Sequence, residues 1–173
     1  MARISFQVQL IPGEKKFKDF QKNLETIMET LLYLQNDFPK IIENLEDPDD
    51  HYSVDVIIAF DADHIEAPDG QKGFGVFDAD TDRIYLAADI PEPEETLIET
   101  TAHEFMHYIQ KIKGKPYSEE EAERFAEFAR YQVKRQIIEA KAQTQTQPKK
   151  RHFKNPAQYI GSRKKRKKIV RDK

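Results

Sequence analysis

The 173-residue sequence contains no cysteine, no internal repeat and no apolar run long enough to cross a membrane. Without cysteine, disulfides and thiolate metal sites are excluded, which suits a reducing compartment. The longest mostly apolar stretch, residues 54–60, falls far short of the ~20 residues a membrane helix needs. Met1-Ala2-Arg3 leads directly into an alternating segment, with no secretory signal. A soluble, cytoplasmic protein with no membrane partner is the expectation. One scarcity is local. Residues 144–173 hold a single acid, Asp172, beside 12 Lys/Arg, which leaves 30 acidic and 16 basic residues in 1–143. The chain therefore reads as an acidic domain over residues 1–143, with a basic tail, extended or disordered, over 144–173. About 143 residues suit one compact domain and not two.

Within the acidic part, Ile4, Phe6, Val8 and Leu10 alternate with polar residues and predict a half-buried strand. Phe17, Phe20, Leu24, Ile27, Leu31, Leu34 and Phe38 then recur every three or four residues, predicting a long amphipathic helix. Pro39 is expected to break or kink it, with a short further turn through Ile41, Ile42 and Leu45. Residues 47–50 read as a loop and residues 54–60 as a β-branched strand covered on both faces. A polar connection (61–72) leads to a hairpin with arms 73–77 and 83–87. A helix is predicted over 94–113, ended by Gly114 and Pro116. Ser118-x-x-Glu121 forms a capping box for a last helix to about residue 142, and residues 144–148 read as a linker. The order β-α-β-β-β-α-α implies an α+β domain with helices against a small mixed sheet.

His103-Glu104-Phe105-Met106-His107 is an H-E-x-x-H pattern inside a predicted helix. Histidines four residues apart lie one turn apart on one face, where both can reach a single zinc ion beside a proton-accepting Glu. Helical phase separates this pair from the core. Ile98, Ala102, Phe105, Ile109 and Ile112 form one apolar stripe, while His103 and His107 fall opposite it with Thr96, Thr100 and Gln110. Zinc needs a third protein ligand and one open position. A metzincin-type site would place His at 113 and Gly at 110, where this chain has Lys113 and Gln110. The third ligand must then be His, Asp or Glu. On the following helix Glu119 lies at the edge of the inward stripe of Ala122, Phe125, Ala126, Ala129, Val133 and Ile137. Glu123 lies one turn further on, so Glu119 is the first choice and Glu123 the second.

H-E-F-M-H followed by E-x-x-A-E-x-F-A (Glu119, Ala122, Glu123, Phe125, Ala126) resembles the gluzincin metallopeptidases. The likeness is to the ImmA/IrrE-type peptidases of bacteria and phages and, more distantly, to the CAAX prenyl endopeptidases. It covers residues 73–130, and the interval from His107 to Glu119 is shorter than is usual in the ImmA/IrrE group. The resemblance implies a zincin-like fold with one Zn2+ per chain, held by His103, His107 and Glu119, in the cytoplasm of a bacterial or phage-infected cell. It further implies a metalloendopeptidase, monomeric, that hydrolyses a protein or peptide substrate with Glu104 as general base. Glu123 stands where the family has a shorter Asp or Asn orienting a ligand His. The hairpin resembles the edge strand that holds extended substrate, with peptide expected to pair along the Tyr85 strand. Tyr117, Tyr131 and His64 are candidate donors to an oxyanion.

Weaker features take plainer readings. Asp78-x-Asp80-x-Asp82 lacks the Gly and Glu of a calcium loop and reads as a hairpin turn. Asp61-Ala62-Asp63-His64 reads as a polar loop. Arg163, Lys164, Lys165, Arg166, Lys167 and Lys168 could bind nucleic acid phosphates or an acidic protein surface, or simply solubilise the chain. Two alternative functions follow: a zincin-fold module that binds metal without catalysis, or a nucleic-acid-associated protein acting through its tail.

Overall fold

The computed structural model describes residues 2–11, 13, 18–43 and 51–146. In chain order the elements are β1 (Arg3–Ile11), α1 (Lys18–Ile41), β2 (His51–Ala59), β3 (Ile65–Glu66) and β4 (Lys72–Gly73). They continue with β5 (Gly75–Asp78), β6 (Arg83–Ala87), α2 (Pro93–Ile112) and α3 (Glu119–Thr146). Contacts divide the chain into two units, Met1–Ile138 and Glu139–Lys173. In the second unit, the described residues 139–146 are helical.

The first unit is a mixed α/β arrangement around a sheet of order β1-β2-β6-β5. β1, β2 and β6 run parallel, and β5 is antiparallel to β6. Alternation in β1 does what a period of two requires. The register sets Phe6 beside Val54, Val8 beside Val56, and Val56 beside Ile84, so their side chains share one face. Helices α1 and α2 cover that face. The ring of Phe105 on α2 lies 5.7 Å from Phe6 of β1 and 6.3 Å from Phe38 of α1. Phe38, Phe105, Leu34, Ile58 and Leu86 are fully buried there, each side chain contributing about 1.5–3 kcal/mol. Two side-chain amides pin α1 to its surroundings: Asn23 donates to the carbonyl of Ala88 and Gln35 to that of Ile4.

Several expectations need correction. β2 is less covered than its apolar run suggests: on the face away from the helices Ile57 is buried, but Asp55 and Ala59 are only half-buried. Asp55 and Arg83 form an ion pair on that side at 3.6 Å. Pro39 does not end α1, which runs to Ile41. It sits so near the C-terminus that only the bond to the Gln35 carbonyl is forfeited, and Ile42 already bonds back to Phe38. The polar connection contains the short antiparallel ladder β3–β4. Finally, α3 extends to Thr146, so the first residues of the expected linker are helical. Leu45 and the loop at 47–50 lie outside the described residues.

Where α2 ends decides where α3 begins. Gly114 takes φ +64°, its N–H bonds to the Lys111 carbonyl, and the Lys115 N–H reaches back to the Gln110 carbonyl. This pair of bonds around a left-handed glycine is the Schellman arrangement that closes a helix and turns the chain. Ser118 then starts α3, its hydroxyl accepting the Glu121 N–H at 3.2 Å.

Candidate metal centre

Helix α2 is buried almost all round between Thr101 and Gln110. Ile98, Ala102, Phe105 and Ile109 face the sheet, as their phase requires, and the histidines come off the other side. The imidazoles of His103 and His107 stand nearly perpendicular, 83° apart, with their Nε2 atoms 3.1 Å from each other. The carboxylate of Glu119, the first residue of α3, closes the triangle. Its Oε2 lies 3.1 Å from His103 Nε2 and its Oε1 3.3 Å from His107 Nε2.

These three residues could hold one metal ion, and they are the only group of three such donors among the described residues. The spacing fits. Tetrahedral bonds of about 2.0–2.1 Å to nitrogen and oxygen set neighbouring donors about 3.4 Å apart, close to the 3.1–3.3 Å seen here. The histidine side chains are 21% and 11% exposed and that of Glu119 72%, so the site opens to solvent on the α3 side.

Glu104 lies beside the triangle, buried to 8% exposure. Its Oε2 accepts the N–H of Phe77 in β5 at 2.7 Å. Burial pushes its carboxyl above the ordinary range, partly offset by the two imidazoles and the Phe77 N–H. β5 comes this close because residue 75 is glycine: a Cβ there would lie 2.5 Å from the Thr100 methyl and 3.1 Å from Glu104 Cγ. His103 and Glu104 form part of the wall of an open cavity of about 620 Å³, with Phe74 and Gly75 on one side and Glu123, Glu127 and Arg130 of α3 on the other. Arg130 is tied to Glu99 of α2 at 2.6 Å.

The remaining candidates are dispersed. Glu123 lines the cavity and is not part of the donor triangle. Tyr117 packs edge-on against His107, ring centroids 5.4 Å apart, with its side chain half in solvent. Tyr131 is exposed and lies against Arg130. His64 pairs with Asp63 at 2.6 Å on the surface, and none of Tyr117, Tyr131 and His64 borders the cavity. The Tyr85 strand cannot take a peptide by edge pairing, because β6 lies between β2 and β5 with both edges filled. Among the described residues, β5 has a strand neighbour in that sheet on one side only, β6. Asp78 accepts from the Asp80 N–H and the Thr81 hydroxyl, as a hairpin turn does. Residues 163–168, with their six basic side chains, lie outside the described residues.

One residue was passed over from sequence. Gln110 is 1% exposed and makes four side-chain hydrogen bonds. His107 Nδ1 lies 3.0 Å from its Oε1, which also receives the Ser118 N–H at 3.2 Å. Its Nε2 donates to the Ser118 carbonyl at 3.0 Å and to Glu121 at 2.9 Å. The reciprocal arm of the capping box is therefore absent: Glu121 and the Ser118 N–H both turn to Gln110 instead of to each other. The available signal was position, since Gln110 is three residues beyond His107 on the same face. Comparison with family models, curated proteins and solved structures gives no match.

Proposed function

We propose that the chain is a zinc-dependent metalloendopeptidase of the gluzincin type. The observation that carries this is the convergence of His103, His107 and Glu119 next to Glu104, whose carboxylate is buried, with His103 and Glu104 lining an open cavity. A nitrogen and carboxylate donor set without thiolate suits zinc in a site that leaves one position open. Bound there, zinc supplies Lewis acidity to a substrate carbonyl and makes water a better nucleophile near neutral pH.

The chain's own residues do the rest. Phe77 fixes one oxygen of Glu104, so the other is the atom that accepts the proton of the attacking water and hands it to the leaving amine. Peptide backbone pairs along the outer edge of β5 at Gly75, since the Phe77 N–H is held by Glu104. Of the candidate donors to an oxyanion, Tyr117 is the one whose ring packs against a histidine of the centre, His107.

Purified protein is expected to carry one zinc per chain by elemental analysis. Glu104→Gln should retain that zinc while hydrolysis of unfolded protein substrates falls about 10²–10⁴-fold, the usual contribution of a general base. Wild-type protein without stoichiometric zinc would sink the proposal.

A further inference from the structure

Gln110 sits in a contact whose donors and acceptors can be assigned without ambiguity. The Ser118 N–H can only donate and the Ser118 carbonyl can only accept. The Gln110 amide bridges both, so its oxygen must face the N–H, at 3.2 Å, and its nitrogen the carbonyl, at 3.0 Å. The same oxygen faces His107 Nδ1 at 3.0 Å, and the nitrogen faces Glu121. An amide oxygen offers no proton, so Nδ1 must carry one. In the neutral ring Nε2 is then left with its lone pair, directed at the point between His103 and Glu119.

We infer that Gln110 is the positioning residue of this centre, and that it aligns two of the three ligands at once. Through Nδ1 it fixes the tautomer and rotation of His107. Through both backbone groups of Ser118 it holds the residue next to Glu119, setting the first turn of α3 in register with the last turns of α2. The inference rests on the metal-centre proposal for its purpose, while its geometry can be tested without any metal. Ligand histidines generally depend on a hydrogen bond at the far nitrogen, and loss of such a partner costs about 10–100-fold in metal affinity. Here a neutral side chain, from the same helix as the histidine, supplies that partner.

The test uses full-length, metal-free, 15N-labelled protein at a pH well above the ordinary imidazole pKa of about 6.5. Nitrogen NMR should show a proton on His107 Nδ1, the nitrogen that faces Gln110, whereas the neutral form of a solvent-exposed imidazole carries its proton on Nε2. Gln110→Met keeps the volume and removes every polar contact. It should release His107 to a tautomer mixture and weaken binding of added zinc about 10–100-fold. The double variant Gln110→Glu/Glu121→Gln keeps an acceptor for His107 and the Ser118 N–H and a donor at residue 121, but sets oxygen against the Ser118 carbonyl, so it should keep the proton on His107 Nδ1 and recover only part of the affinity.

Three results would overturn the inference: wild-type His107 with no proton on Nδ1, a Gln110→Met protein whose Nδ1 protonation and zinc affinity are unchanged, or a double variant that loses the Nδ1 proton. If Gln110→Met does not fold, the wild type and the double variant still decide. Wild-type protein that binds no added zinc would remove the metalloendopeptidase proposal, and the tautomer comparison would still judge Gln110 separately.

Discussion

Glu119 joins a site to which it contributes little packing. Its side chain is 72% exposed, and its contacts are to His103 and His107. Surface substitutions of this kind usually change stability by no more than about 0.5 kcal/mol. Glu119→Ala is therefore expected to lose stoichiometric zinc while unfolding at nearly the same temperature in the metal-free state. Metal analysis and a thermal melt check the two halves. Gly75 is the opposite case, a residue with no side chain whose lack of one is structural. A Cβ would press on Thr100 and Glu104 from 2.5 and 3.1 Å, an overpacking that costs about 1–3 kcal/mol. Gly75→Ala should also push β5 outward, lengthening the Phe77–Glu104 bond, so hydrolysis should fall while zinc content stays. Denaturant unfolding with an activity assay reads both.

At the scale of elements, the turn between α2 and α3 brings Glu119 back to the histidines. Gly114 sits at φ +64° with open space around its Cβ position, so replacement tests backbone conformation alone. Gly114→Ala is expected to cost about 1–2 kcal/mol, the penalty of a left-handed L-residue, with Gly114→Asn costing less. Chemical denaturation of the two variants measures this. The same elements show which parts of the molecule were legible in the sequence. The phase of α2 separated Ile98, Ala102 and Phe105 from His103 and His107, and the phase of α3 put Glu119 ahead of Glu123, because helical neighbours are fixed by local geometry. Strand order is non-local, so the alternating pattern identified the hairpin but not that β5 would lie outside β6. Ladder β3–β4 is too short for any period to reveal. Gln110 went unrecognised because its partners, Ser118 and Glu121, meet it only once the turn is built. Thr144-Gln145-Thr146 looked like a linker by propensity, yet α3 continues through it, with the Thr144 hydroxyl bonding back to the Ala140 carbonyl at 2.6 Å.

Across the whole molecule, the charge division and the candidate chemistry are carried by different stretches of chain. All the donors and Glu104 fall between residues 103 and 119, inside the unit Met1–Ile138. Among the described residues, no helix is long and apolar enough to cross a membrane. Removing residues 149–173 deletes 12 basic residues and one acid, taking the formal charge from -3 to -14. The truncated protein is expected to match the intact chain in zinc content and in any hydrolysis, and to elute from an anion exchanger at higher salt. Any affinity for DNA should be lost with the deletion and should fall steeply with salt in the intact chain. DNA binding that survives the truncation would show that the basic stretch is not responsible.

The bond from Phe77 to Glu104 spans 27 residues, whereas two of the three donors come from α2 and the third from the first residue of α3, one short turn away. Closing the donor triangle therefore requires only a short loop, and its entropic cost is small. Aligning Glu104 requires β5 to be seated against β6, a step that depends on sheet order. The two steps can separate in time: as the chain folds, a metal-competent helical hairpin can precede an aligned Glu104. Opening of β5 in the native state would likewise release Glu104 while leaving the donors together. Amide exchange at Phe77 should then report how often Glu104 is released from β5.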